Sequence, residues 1–177
     1  RGMKFLLIMT EICYIFPPTG LQYLYESIKT RNLDVEIFDI NFELLKRINN
    51  DPQFNVEHWG QLVSEKIEYF KPDIIGVSCL FDFSLQYFFH LLKRIKSESE
   101  AIVVCGGVVA TYEWKNILKQ QLAHFCVGGE GETKFNYLLD QLTEESYHTA
   151  VVKGIHYYQN DKYQESKGVV DRVRFET

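Results

Sequence analysis

The chain has 177 residues, a formal net charge of −5, 46% hydrophobic residues and 24% charged ones, proportions that fit a globular domain. That length buries most of the surface an unfolded chain exposes, so one domain with a short appendage is expected and no covalent staple is needed. The acidic balance lends no support to a sequence-independent grip on nucleic acid. No apolar run reaches the ~20 residues of a membrane span, so the chain reads as cytoplasmic, with neither membrane nor nucleic acid as a partner.

Taken in order, Lys4 to Met9 is a continuous apolar run, the mark of a strand buried on both faces. It is too short for the core of a signal peptide, and Arg1 and Gly2 ahead of Met3 are set aside from the fold. Pro17-Pro18 holds the next loop extended, and Gly20 opens a helix with Leu21, Leu24, Tyr25 and Ile28 on one face, ending at Asn32. Asp34 to Phe38 is the second strand. Phe42, Leu45 and Ile48 suggest a short helix that breaks at Asn49-Asn50-Asp51-Pro52. A longer helix runs from about Glu57 through Trp59, Leu62, Val63, Ile67 and Phe70 to a stop at Pro72.

Asp73 to Ser78 is the third strand, Leu85 to Ile95 a helix, Ala101 to Cys105 the fourth strand, and Trp114 to Leu122 another helix. His124 to Val127 is a short fifth strand, followed by a helix carrying Phe135, Leu138, Leu139 and Leu142. Strands that alternate with helices predict an α/β fold: a doubly wound, Rossmann-like or flavodoxin-like parallel sheet of five strands in the order 2-1-3-4-5. Beyond Gly154, Ile155 to Tyr158 and Tyr163 flank Asn160-Asp161 as a C-terminal hairpin. The expected division is a cofactor domain over residues 3–145 and a hairpin and linker over 146–177, with the natural chain continuing past Thr177.

Ligands of such sheets sit beyond the C-terminal strand ends, at the switch between the first and third strands. Four loops converge there: Pro17 to Leu21, Ser78 to Asp82, Gly106 to Val109, and Gly128 to Glu132. Glycine at a strand end lets a ligand approach the backbone, and a following helix N-terminus offers free N–H donors. The four cysteines, Cys13, Cys79, Cys105 and Cys126, match neither a zinc knuckle nor a disulfide framework and are expected as reduced, packed thiols. The five histidines are scattered and read as surface or packing residues. No metal ligands and no catalytic residues are assigned.

Several of these features carry a family resemblance: Pro17-Pro18-Thr19-Gly20-Leu21, Asp39, Lys71-Pro72-Asp73 ahead of Ile74-Ile75-Gly76-Val77-Ser78, Gly106-Gly107, and Gly129-Glu130-Gly131-Glu132. From Lys4 to about Tyr158 the chain resembles the cobalamin-binding domain that precedes the catalytic barrel in one branch of radical S-adenosylmethionine enzymes. Members of that branch are often named after magnesium-protoporphyrin IX monomethyl ester oxidative cyclase.

Cobalamin domains carry Asp-x-His-x-x-Gly, then Ser-x-Leu, then Gly-Gly. Here Gly20, Ser78-Cys79-Leu80 and Gly106-Gly107 remain, while Ile15 and Pro17 stand where the Asp and His would be. The resemblance therefore implies a corrinoid held without a protein histidine on cobalt. It implies cofactor contacts from Thr19, Gly20, Leu21, Ser78, Cys79, Leu80, Phe81, Gly106, Gly107, Val108, Gly129, Glu130, Gly131 and Glu132.

The branch's Cys-x-x-x-Cys-x-x-Cys motif is absent. S-adenosylmethionine and the 4Fe-4S cluster would then belong to a C-terminal radical barrel, the implied partner domain, and this segment alone would not catalyse methyl transfer or oxidative cyclisation. A degenerate domain that binds nothing and acts as a packing or gating module stands as the alternative. A phosphoacceptor receiver is rejected because Ser78 and Gly128 stand where it needs an Asp and a Lys, and a flavodoxin site because Ile15 to Pro18 is no phosphate loop.

Overall fold

The computed structural model describes residues 2–10, 18–143 and 153–166. Its elements follow the expected alternation: β1 (Met3–Met9), α1 (Thr19–Ile28), β2 (Leu33–Asp39), α2 (Ile40–Asn50), α3 (Trp59–Phe70), β3 (Ile74–Ser78), α4 (Leu85–Glu98), β4 (Ile102–Gly106), α5 (Gly107–Lys119), β5 (Phe125–Val127), α6 (Glu132–Thr143), β6 (Ile155–Gln159) and β7 (Lys162–Glu165). Single 3-10 turns at Val56–His58 and Asp82–Ser84 lead into α3 and α4. Among the described residues no helix is long and apolar enough to cross a membrane.

The sheet order is β2-β1-β3-β4-β5-β6-β7. Its first five strands are parallel, in the order read from the sequence. The hairpin adds to that expectation: β6 pairs antiparallel with β5, and β7 with β6, so one sheet has seven strands rather than five. Asn160 and Asp161 both take the left-handed conformation, φ 52° and 59°, which a tight two-residue hairpin turn requires.

Successive strand residues point to opposite faces, and two separate cores result. Leu6, Ile8, Ile75, Val77, Val103, Cys105 and Cys126 face α2 to α5. Phe5, Leu7, Met9, Ile74, Val104 and Val127 face α1 and α6. The Lys71-Pro72-Asp73 segment shapes the crossing between α3 and β3. Lys71 ends α3 in the left-handed conformation, and the Asp73 carboxylate accepts from the Lys4 N–H at 2.7 Å, pinning the start of β1.

One helix differs from its sequence pattern. Phe42 and Leu45, two of the apolar positions that suggest α2, are 59% and 45% exposed, while Ile40, Asn41 and Leu44 face inward. The Asp39 carboxylate caps this helix, accepting from the Phe42 N–H at 3.1 Å. That cap fixes the helix start at Ile40 and hence which face meets α3. Cys13, Ile15 and Pro17, His148, and the tail past Ser166 lie outside the described residues.

Candidate functional site

At the C-terminal edge of the sheet, a groove of about 240 Å³ opens between α1 and α6. Strand register builds its floor. Leu7, Gly76 and Val104 form one row across β1, β3 and β4, and Met9, Ser78 and Gly106 the next. Leu21 and Leu24 of α1 form one wall; Phe135 of α6 and the Gly129–Glu132 loop form the other. The α1 and α6 side of the sheet is thus hollow at its upper end because residues at the sheet centre are small.

The glycines differ in what they do. A Cβ on Gly106 would meet no atom within 4 Å, so this position leaves the groove mouth open. Gly107 has φ +86°, and a Cβ there would stand 2.5 Å from the Cys79 carbonyl oxygen. The expectation that both members of the pair make room for a ligand is therefore corrected. Gly107 lines the groove, yet its missing side chain admits the backbone of the loop after β3. A hydrogen bond from the Val109 N–H to that same Cys79 carbonyl, at 3.1 Å, seals the contact. Gly76 is another close-approach site: a Cβ would lie 2.9 Å from Leu7 Cδ2 and 3.1 Å from Phe5 Cζ.

Of the residues expected at the site, Gly20, Leu21, Ser78, Leu80, Gly106, Gly107, Gly129, Glu130, Gly131 and Glu132 line this groove. Thr19, Cys79, Phe81 and Val108 do not. Thr19 is exposed at the first position of α1. Cys79 belongs to the opposite core and is fully buried there, because strand alternation turns it away from its neighbour Ser78. Phe81 and Val108 sit on an exposed rim beside the groove with Leu80, Phe83 and Tyr112. Phe81 and Phe83 stack there with ring centroids 5.0 Å apart. The Tyr112 hydroxyl donates to Asp82 Oδ1, and that bond pushes its pKa up to about 12.

Sequence reasoning missed Leu7, Leu24, Gly76, Val77, Val104, Cys105, Val127 and Phe135 as lining residues. A glycine inside an otherwise β-branched strand, as at Gly76, is the one signal that marks such a site in advance. The apolar ones are indistinguishable from ordinary core.

Two networks hold the groove in shape. Near its mouth, the Thr111 hydroxyl donates to the Gly107 carbonyl at 3.1 Å and accepts from the Gly129 N–H at 3.0 Å. Lys134 Nζ donates to the Gly128 carbonyl, and burial holds this amine below its usual pKa. Behind the groove, Arg31 donates from Nε to Asn136 Oδ1 at 2.9 Å and pairs through Nη1 with Asp140 Oδ1 at 2.7 Å. Asn136 Nδ2 in turn donates to Ser27 Oγ at 3.0 Å. Both charged side chains of this brace are at most 4% exposed, and together they tie α1 to α6.

The described cysteines behave as packing residues. Cys79, Cys105 and Cys126 are buried in the core on the α2 to α5 face, Cys105 also bordering the groove, and burial pushes the Cys105 thiol well above its usual pKa, keeping it protonated. No group of His, Cys, Asp and Glu among the described residues is placed to hold a metal ion. His156 stacks on Trp114 at 4.1 Å, His90 lies against Trp59, and His124 Nδ1 accepts from the Val103 N–H at 3.0 Å. None lines the groove.

Comparisons with known proteins bear on the family and the fold of the chain. The family model described as the B12 binding domain matches residues 6–139. No curated protein sequence matches the chain. Among solved structures, the radical S-adenosylmethionine methyltransferase TsrM from Kitasatospora setae, with cobalamin and a 4Fe-4S cluster bound, superposes with a TM-score of 0.73 at 19% identity. That match covers 99% of this chain and 30% of TsrM.

The cobalamin-dependent S-adenosylmethionine radical enzyme OxsB, with aqua-cobalamin bound, gives a TM-score of 0.66 at 19% identity, over 96% of this chain and 23% of its own. A cobalamin-binding protein from Desulfitobacterium hafniense DCB-2 gives 0.50 at 12% identity, over 77% and 57%. The chain thus spans less than a third of the two radical enzymes it resembles, and at these identities the likeness is one of fold.

Proposed function

The chain belongs to the B12-binding domain family, and we propose that it holds cobalamin by taking the nucleotide tail of the cofactor into the groove between α1 and α6. The open strand-end positions Ser78 and Gly106, neighbours in one row of the sheet, carry this reading. Small residues at the centre of a sheet forgo packing, and here a Cβ at Gly106 would fill the mouth of the groove. Pockets that bury a whole drug-sized ligand run to about 300–1,000 Å³; 240 Å³ suits one arm of a larger molecule.

In this reading Ser78 and the N–H groups ahead of α6 meet the polar tail at the mouth, and Glu130 and Glu132 accept from its hydroxyls or from corrin amides. Leu80, Phe81 and Val108 give the corrin an apolar seat on the rim. With Pro17 where related domains carry histidine, and no histidine among the described residues that line the groove, a bound corrinoid would be held without an imidazole from this domain. The bound corrinoid supplies methyl-transfer or electron-transfer chemistry at its metal.

S-adenosylmethionine and the 4Fe-4S cluster fall to a radical barrel C-terminal to residues 3–145, with 146–177 leading toward it. Methyl transfer and oxidative cyclisation are the reaction classes in view. That TsrM and OxsB are radical S-adenosylmethionine enzymes of which this chain spans 30% and 23% supports this reading.

The test is a titration of the chain with hydroxocobalamin and with cobinamide, which lacks the nucleotide tail, followed by absorbance after desalting. Cobalamin retained with a base-off spectrum, and at least about tenfold tighter than cobinamide, is the expected result. Equal binding of the two would remove the tail from the groove. Binding of neither would favour a degenerate domain that serves in packing or gating.

A further inference from the structure

We infer that the groove discriminates among corrinoids by the base that ends the nucleotide tail, accepting benzimidazole or phenolic bases and disfavouring purines; this rests on the tail-in-groove reading above. Among the described residues, the polar side chains on the groove are Ser78, Glu130 and Glu132. Deeper in, it is lined by Leu7, Leu21, Leu24, Val104, Val127 and Phe135, and the stack of Phe135 on Phe5, 5.0 Å between centroids and 16° between planes, packs behind them.

Among the described residues, the polar groups behind this lining are engaged with one another. The floor strands have their backbones paired in the parallel ladder. The polar side chains nearest the walls are committed to one another: Asn136 spends Oδ1 on Arg31 and Nδ2 on Ser27, Arg31 pairs with Asp140, and the Ser27 hydroxyl donates to the Leu24 carbonyl at 2.8 Å. The buried brace ties α1 to α6, and below Glu132 the groove side of these helices is formed by Leu21, Leu24 and Phe135.

A benzimidazole seated there brings one free ring nitrogen, and a phenolic ring none. Adenine brings further ring nitrogens and an exocyclic amino group, each stripped of water without a replacement partner. Leaving a polar group buried and unpaired weakens binding by about tenfold or more. The affinity order should therefore follow the polarity of the base, with shape held roughly constant between bicyclic rings.

The experiment is a competition series on the 177-residue chain with four corrinoids: cobalamin, cresolyl cobamide, adeninyl cobamide and cobinamide. Cobalamin and cresolyl cobamide are expected within a few-fold of each other, with adeninyl cobamide at least about tenfold weaker. Adeninyl cobamide equal to cobalamin, with both above cobinamide, would overturn this inference and leave the tail-in-groove reading standing. Four equal affinities would overturn that reading itself. Val104→Thr, which sets a hydroxyl on the floor at nearly unchanged volume, should narrow the gap between cobalamin and adeninyl cobamide. An unchanged ratio in a chain that melts normally would overturn the assignment to the groove floor; if the variant does not fold, the unsubstituted series decides.

Discussion

The same strands make both faces of the sheet, and the two faces are filled differently. Toward α2 to α5, β3 and β4 present Ile75, Val77, Val103 and Cys105, and the space above them is closed by Phe88, Leu91, Leu92 and Ile95 of α4. Toward α1 and α6 they present Ile74, Gly76, Ser78, Val104 and Gly106, and the upper half stays open. One face is a core that stabilises the fold. The other gives up packing near the strand ends and replaces it with a buried ionic brace and a latch of loop hydrogen bonds. The site thus rests on small residues at the strand ends, Ser78 and Gly106, and not on added reactive side chains.

Substitutions can break this contrast. Phe88→Ala on the filled face is expected to cost about 3–5 kcal/mol in denaturant unfolding, whereas Leu24→Ala, half-buried on the groove wall, should cost far less. Comparable losses would mean that the hollow face is packed after all. Arg31→Met leaves Asp140 buried without its cation and should also cost about 3–5 kcal/mol, with Arg31→Met/Asp140→Leu recovering much of it. A single variant as stable as the parent would show that the brace does not hold α1 and α6.

The glycine pair gives a smaller and sharper test. Gly107→Ala forces a side chain into a left-handed position against the Cys79 carbonyl, for at least about 1–3 kcal/mol. Gly106→Val, in extended backbone with open space above it, should leave the unfolding midpoint nearly unchanged.

The smallest effect concerns pH. Burial beside Trp114 lowers the His156 pKa, so the unfolded chain takes up this proton first as pH falls. Hairpin docking should therefore contribute fully above about pH 6.5 and weaken below it, down through the folded value. His156→Phe should flatten that slope in thermal melts from pH 7 to 5; an unchanged slope would assign it to other groups.

The strands and their order were legible because continuous apolar runs ending in Gly, Pro or Ser leave few alternatives to a parallel sheet. The face of α2 was not, since the Asp39 cap and the packing of Ile40 and Leu44 outweigh the helical spacing of Phe42 and Leu45. At the site, loop glycines and Ser78 could be read from strand-end position. Leu24, Val104 and Phe135 could not, because an apolar residue facing a hollow looks like one facing a core. Gly106 and Gly107 are identical in sequence and differ only in what the backbone of Cys79 does nearby. Cys79 itself could have been set aside, since alternation from Ser78 places it on the other face.

The most direct measurement is equilibrium binding of hydroxocobalamin to the parent chain and to Gly106→Val, with circular dichroism confirming that both are folded. Filling the groove mouth without disturbing the sheet is expected to abolish base-off cobalamin retention. A folded Gly106→Val chain that binds hydroxocobalamin as tightly as the parent would contradict the claim that this groove receives the cofactor.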